Sequence, residues 1–256
     1  MVPEAFASDQ VEEVRFSVSE NGYYKNLQTV LDILANNDWK RPVYFSTTVS
    51  SDYYLNLDDY FVREGLALRL APVRNQNPNY LGRVDTEAMY TKLMEEFDWG
   101  GIQTPGIYMD ENNLRMTIHY RYAFSVLAAA LAEEGKTETA KEVLDHCMQQ
   151  MPKENVPYNA GITPLIQGYF SAGDTATANE LVGEYSAQLE RELQCLNVLS
   201  QTGRERFGKS QTDYLSALRD INTLGSVCLG YGETDKAREM EDLLSMYGQE
   251  YERLFR

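Results

Sequence analysis

The sequence predicts an α+β chain in which a small α/β domain of about three strands, residues 1–110, precedes an all-α stack of about three helical hairpins, residues 111–256. Three observations predict it. Short segments of alternating apolar and polar residues, bounded by turn formers, cluster before residue 75. After Asn112, apolar residues recur at spacings of three and four. In that same half, glycine is followed five residues later by alanine three times, as Gly135 with Ala140, Gly173 with Ala178 and Gly232 with Ala237.

Val14 to Val18 alternates apolar residues with Arg15 and Ser17, the period of a half-buried strand, and Asn21-Gly22 ends it. From Tyr23 to Ala35 the positions Leu27, Val30, Leu31 and Leu34 lie on one face of an amphipathic helix that stops at Asn36-Asn37-Asp38. Pro42 opens a second strand, Val43 to Val49, and a third runs from Leu66 to Val73. Between them, Leu57 to Phe61 reads as a helix of at most about two turns. This order implies a small parallel or mixed sheet. A helix over Asp85 to Phe97 follows, capped by Asp85, and the breakers Gly100-Gly101 and Pro105-Gly106 lead to a boundary near Asp110.

The repeated glycine and alanine have separate jobs. Glycine adopts the positive φ that ends a helix, and alanine lets the next helix pack closely. In the first unit Phe124, Leu127, Ala128, Leu131, Ala140, Leu144 and Cys147, closed by Pro152, match the spacing of a tetratricopeptide repeat. The second unit, with Thr163-Pro164 at its start, lacks a closing proline, and its second helix is expected to continue to about Ser200. That extension accounts for the 59 residues between Ala178 and Ala237. The third unit, Tyr214 to Tyr247, places Glu241 where an apolar residue is usual. Stacked hairpins hold peptides or other domains on a concave face, and Tyr122, Tyr158, Tyr169 and Tyr185 are candidates to line such a groove. Tyrosines packed between helices with wet hydroxyls are the alternative.

Of the 256 residues, 39 are acidic and 23 basic, so the formal charge of −16 repels phosphate backbones and excludes nucleic acid as an expected partner. The apolar run Tyr122 to Ala132 is about half of the roughly 20 residues a membrane span needs, so no insertion by this chain is expected. Cys147, Cys195 and Cys228 lack metal or redox spacing and are expected to be buried thiols.

Signs of catalysis are sparse. The two histidines, His119 and His146, have no metal-like neighbours; His146 is expected at the surface and His119 in a structural role. Hydrolase, Walker and dinucleotide fingerprints do not occur, and neither a catalytic residue, a metal nor a cofactor is expected. Asp52, Asp58 and Asp59 near the strand ends offer an acid and base pair in principle, but turn and cap roles suit them better. Trp39 to Phe45, with Asp52, Tyr53, Tyr54 and Tyr60, forms the aromatic cluster in which a sugar or peptide would bind beyond a strand end. Arg41 lies at the opposite end of that strand, where it is expected to order the helix-to-strand turn.

Two segments, Leu31 to Phe45 with its Trp-Lys-Arg-Pro-Val-Tyr-Phe and Tyr60 to Pro72 with its Glu64-Gly65-Leu66-Ala67, followed by the repeats, resemble the C-terminal soluble region of a membrane-protein family. That family is the DUF2723 proteins of Bacteroidetes, related to the protein O-mannosyltransferase-like transmembrane protein 260. The resemblance implies a multi-span N-terminal half that carries the catalytic acid, and no family catalytic residue maps onto this chain. It also implies a non-catalytic accessory domain at the periplasmic face of the inner membrane, engaging protein acceptors, a peptide, or the membrane half of its own parent chain. Met1 is then an internal start. Two alternatives are an independent cytoplasmic tetratricopeptide adaptor and a glycan- or peptide-acting enzyme using the α/β part.

Overall fold

The computed structural model describes residues 2–16, 25–78, 80–201 and 210–255. The fold is α+β: a four-stranded sheet near the N-terminus, then a helical stack.

Helix α1 (Lys25–Asn37) ends where Asp38 and Trp39 both take positive φ, and Asn37 closes the turn by bonding both the N–H and the carbonyl of Arg41. Arg41 therefore orders this turn through its backbone. The predicted helix start at Tyr23 lies outside the described residues. Strands β1 (Val43–Ser46), β2 (Phe61–Arg63), β3 (Ala67–Leu70) and β4 (Arg83–Val84) form a mixed sheet in the order β1-β3-β2-β4. β3 pairs antiparallel with both β1 and β2, and β2 pairs parallel with β4.

The predicted strand at Val14 is absent from residues 14–16, and its remaining positions, Ser17 and Val18, lie outside the described residues. Two strands were illegible. β2 is three residues long and buried on both faces, so it carries no alternation, and β4 has only two residues. The expected short helix shrinks to a single 3-10 turn, Asp58–Tyr60, that leads straight into β2.

One face of the sheet carries Phe45, Phe61, Leu68 and Leu70, covered by Tyr54, Leu57 and the half-buried Leu27, Val30, Leu31 and Leu34 of α1. On the other face, the pairing of β1 with β3 brings the two resemblance segments together at Glu64. Its carboxylate accepts from the Tyr44 hydroxyl at 3.0 Å and pairs with Arg69 and Lys92, each at 3.1 Å. Burial opposes the charge, but these three partners outweigh it and hold Glu64 below its ordinary range. Gly65, at φ +77°, makes the β2–β3 turn beneath the Phe97 ring.

Asp85 caps α2 (Thr86–Tyr90) by accepting from Ala88 N–H, and the chain continues in a wider π-helical turn over Thr91–Glu96. Met89 and Leu93 are buried in the core of the helical stack, as is the face of Trp99, tilted on Phe124 with centroids 5.2 Å apart. Ile102 also packs there, whereas Tyr108 is 87% exposed.

The stack comprises α3 (Glu111–Glu133), α4 (Thr137–Gln150), α5 (Ile162–Ser171), α6 (Thr175–Gln201), α7 (Ser210–Gly230) and α8 (Thr234–Phe255). Each repeated glycine does the same thing. Gly135, Gly173 and Gly232 have φ of +78°, +84° and +82° and close their helices with identical paired bonds, such as Gly135 N–H to Ala132 O and Lys136 N–H to Leu131 O. This is the Schellman arrangement. Ala140 and Ala178 are fully buried, Ala237 packs against the same core, and Glu241 is exposed. Gly161, not Thr163, is the residue that precedes α5, with Thr163 and Pro164 in its first turn. Cys147 and Cys228 are buried as expected, but Cys195 is exposed. His146 is half-buried, against Phe124, rather than at the surface.

Candidate functional site

The helical repeat creates its own gap. At 1.5 Å per residue, α5 is about 15 Å long, α6 about 40 Å and α7 about 31 Å. Short α5 therefore cannot cover its long neighbours. Where α5 is missing, the loop before it, the C-terminal half of α6 and the first half of α7 enclose a cavity of about 460 Å³. Its apolar walls are Leu189, Leu196 and Ala217, and Asp213, Asp220 and Glu192 supply its charge.

A second cavity of about 590 Å³ shares Tyr158 and Gln188 with the first and lies along the same helix, between Lys153, Glu180, Glu184 and Arg191. At about 100° per residue their linings occupy adjacent faces of α6, Glu180 to Arg191 for the second and Tyr185 to Leu196 for the first, and meet at Gln188, so the two make a trough that turns around the helix there.

The aromatic floor is held by charge. The Tyr158 hydroxyl donates to Glu184 at 2.6 Å, and Lys153 reaches the same carboxylate at 2.5 Å; these two bonds keep Glu184 below its ordinary range. The rings of Tyr158 and Tyr185 meet edge to face at 6.3 Å, and the Tyr185 hydroxyl donates to Asp220 at 2.5 Å. Burial pushes the Asp220 carboxyl above its ordinary range, although the bond from Tyr185 pulls it back, and burial likewise raises Tyr185. Gln188 ties the two cavities together by donating to Tyr158 O and to Glu192, both at 2.9 Å.

Behind this floor stands Arg121, fully buried and, among the described residues, without a carboxylate partner. It donates to Val156 O at 2.8 Å and Pro157 O at 3.1 Å, fixing the loop that carries Tyr158, and lies 5.8 Å from the centroid of that ring. Burial lowers its affinity for a proton. Such an arrangement binds and orients.

Of the predicted groove residues, Tyr158 and Tyr185 line the first cavity. Tyr169 is buried with its hydroxyl on Asp145 at 2.9 Å, and Tyr122 is 40% exposed with the Arg63 guanidinium 5.5 Å from its ring centroid. At the sheet, Tyr54 and Tyr60 are core residues; the Tyr54 hydroxyl donates to Val49 O and that of Tyr60 accepts from Arg15 N–H. Asp52 is exposed and accepts from the Ser50 hydroxyl in a 3-10 turn, where Tyr53 is also exposed. Asp58 and Asp59 are exposed in the next such turn, with Asp59 3.3 Å from Arg74. Trp39 and Val43 instead line an apolar cavity of about 510 Å³ beneath α1, with Leu31, Leu34 and Leu70.

Arg121, Gln188 and Asp220 escaped sequence reasoning. Two had left a signal: Arg121 lies on the stripe of Phe124, Ala128 and Leu131, and Asp220 beside Ala217 and Leu224, each a charge on an apolar stripe, Arg121 fully buried and Asp220 half-buried.

Among the described residues, no group of three or more His, Cys, Asp or Glu is placed to hold a metal ion, and no helix is long and apolar enough to cross a membrane. No curated protein and no solved structure matches the chain. Residues 1–88 match the family model of TMEM260-associated domain 2, a stretch that contains all four strands and ends within α2, consistent with a TMEM260-like family.

Proposed function

We propose that this chain is a non-catalytic accessory module of a TMEM260-like membrane glycosyltransferase, standing at the periplasmic face and holding a protein acceptor or partner segment in the trough along α6. The supporting observation is the trough itself. Two joined cavities with a rigid aromatic floor and convergent polar groups have the shape and mixed lining of a peptide site. The family match over residues 1–88 supports the membrane-protein context.

Selection from a displayed library of random peptides tests this. Peptides should be enriched on the purified chain and should lose binding to Gln188→Trp, which fills the junction of the two cavities. Enriched peptides that bind this variant as tightly as the native chain, or no enrichment, would overturn the proposal. Sugar transfer to peptide by the purified chain alone, from a lipid-linked donor, would overturn its non-catalytic part.

A further inference from the structure

The first cavity is chemically one-sided. Among the described residues its lining includes Glu192, Asp213 and Asp220 and no lysine or arginine, whereas Glu184 in the second cavity is already paired with Lys153. Among the described residues the half-buried Asp220 receives a hydrogen bond from Tyr185 alone, at one oxygen, and its carboxylate lines the cavity. Arg121 does not supply the missing charge: its two terminal nitrogens are engaged by loop carbonyls, and the group that reaches Asp220 is the Tyr185 hydroxyl. A carboxylate withdrawn from water is costly without a cation, and a cation that arrives with a ligand removes that cost.

The walls match the rest of such a ligand. Leu189, Leu196 and Ala217 offer apolar surface leading to the carboxylates, which suits a side chain with a hydrocarbon stem and a charged tip. The formal charge of −16 on the chain favours approach of a basic segment.

We propose that the first cavity takes a lysine or arginine side chain of an extended peptide segment, its stem on Leu189, Leu196 and Ala217 and its cation on Asp220 with Glu192 and Asp213. This rests on the trough being a peptide site and adds the residue class it selects.

Cys195 supplies the probe, since it lies exposed on the cavity wall while Cys147 and Cys228 are buried. Protection of Cys195 from a fluorescent iodoacetamide is measured with three pools of peptides about nine residues long, randomised except for a central lysine, norleucine or glutamate. The lysine pool should protect at a concentration about tenfold or more below that of the norleucine pool, and added salt should narrow the gap. Asp220→Asn should abolish the preference, and Asp213→Asn, at an exposed position in the first turn of α7, should reduce it. Equal protection by the lysine and norleucine pools overturns this inference and leaves the peptide-binding reading standing. Protection by none of the pools overturns both. A lysine preference that emerges only after Arg204, Arg206 and Lys209 of the α6–α7 connection are replaced by serine also overturns it, because the occupant is then the chain's own segment.

Discussion

Removing one hydroxyl, in Tyr185→Phe, tests whether the trough floor is held by a bond to a charged group. The phenol donates to Asp220 at 2.5 Å, and Tyr185 is only 1% exposed. A hydrogen bond to a charged partner contributes about 1.5–3 kcal/mol, and the short distance favours the upper half. Charge-assisted bonds are about twice as strong as neutral ones, so the same substitution in an Asp220→Asn background should cost about half as much. The pH dependence follows from the direction of the Asp220 shift. Burial raises the folded carboxyl above its ordinary 3.8, so between the two values the folded state binds more protons and stability falls as pH rises. Losing the Tyr185 donor raises the folded value further and deepens that fall. Urea unfolding of the two single variants, the double variant and the native chain, at mildly acid and neutral pH, measures all of this. Equal costs in both backgrounds, within about 0.5 kcal/mol, or a cost independent of pH, would refute the reasoning.

Alanine at Gly135, Gly173 or Gly232 should destabilise by about 1–2 kcal/mol each, because a Cβ there meets nothing but must adopt a left-handed φ. At Gly183, equally open but mid-helix, alanine should stabilise by about 0.5–1 kcal/mol, and melting temperatures read both signs. Glu64→Leu removes the carboxylate that Arg69 and Lys92 share and should cost about 3 kcal/mol in denaturant titrations. Because the folded Glu64 value lies below its ordinary 4.5, the native stabilisation is complete above 4.5 and fades as pH falls through the depressed value; the variant should lack that fade. In the native state Cys195 alone should react with maleimide at neutral pH, since Cys228 is buried and burial pushes the Cys147 thiol up to about 12. Mass spectrometry of the adducts counts the sites.

The helical half was legible because its signals are local. Gly135, Gly173 and Gly232 end helices through their own φ, and the apolar stripes have a period that only a helix satisfies. The sheet was half legible. β1 and β3 show alternation or a leading proline, whereas β2 is buried on both faces and β4 takes its place only by pairing with β2. The sheet-end cluster failed for a similar reason: Tyr54 and Tyr60 look like ligand aromatics in one dimension, but they fill the core opposite Phe61.

The sequence by itself determined the α+β class, the three hairpin ends and the overlong α6, all properties of residues within a few positions of one another. Only the tertiary structure decided where a cavity opens. The first cavity opens because short α5 stands beside long α6 and α7, and its described charge is acidic because the buried Arg121 is spent on loop carbonyls while Asp220 meets only the Tyr185 hydroxyl. Arg121 and Asp220 are 99 positions apart, and burial and pairing at that separation depend on packing that no local pattern records.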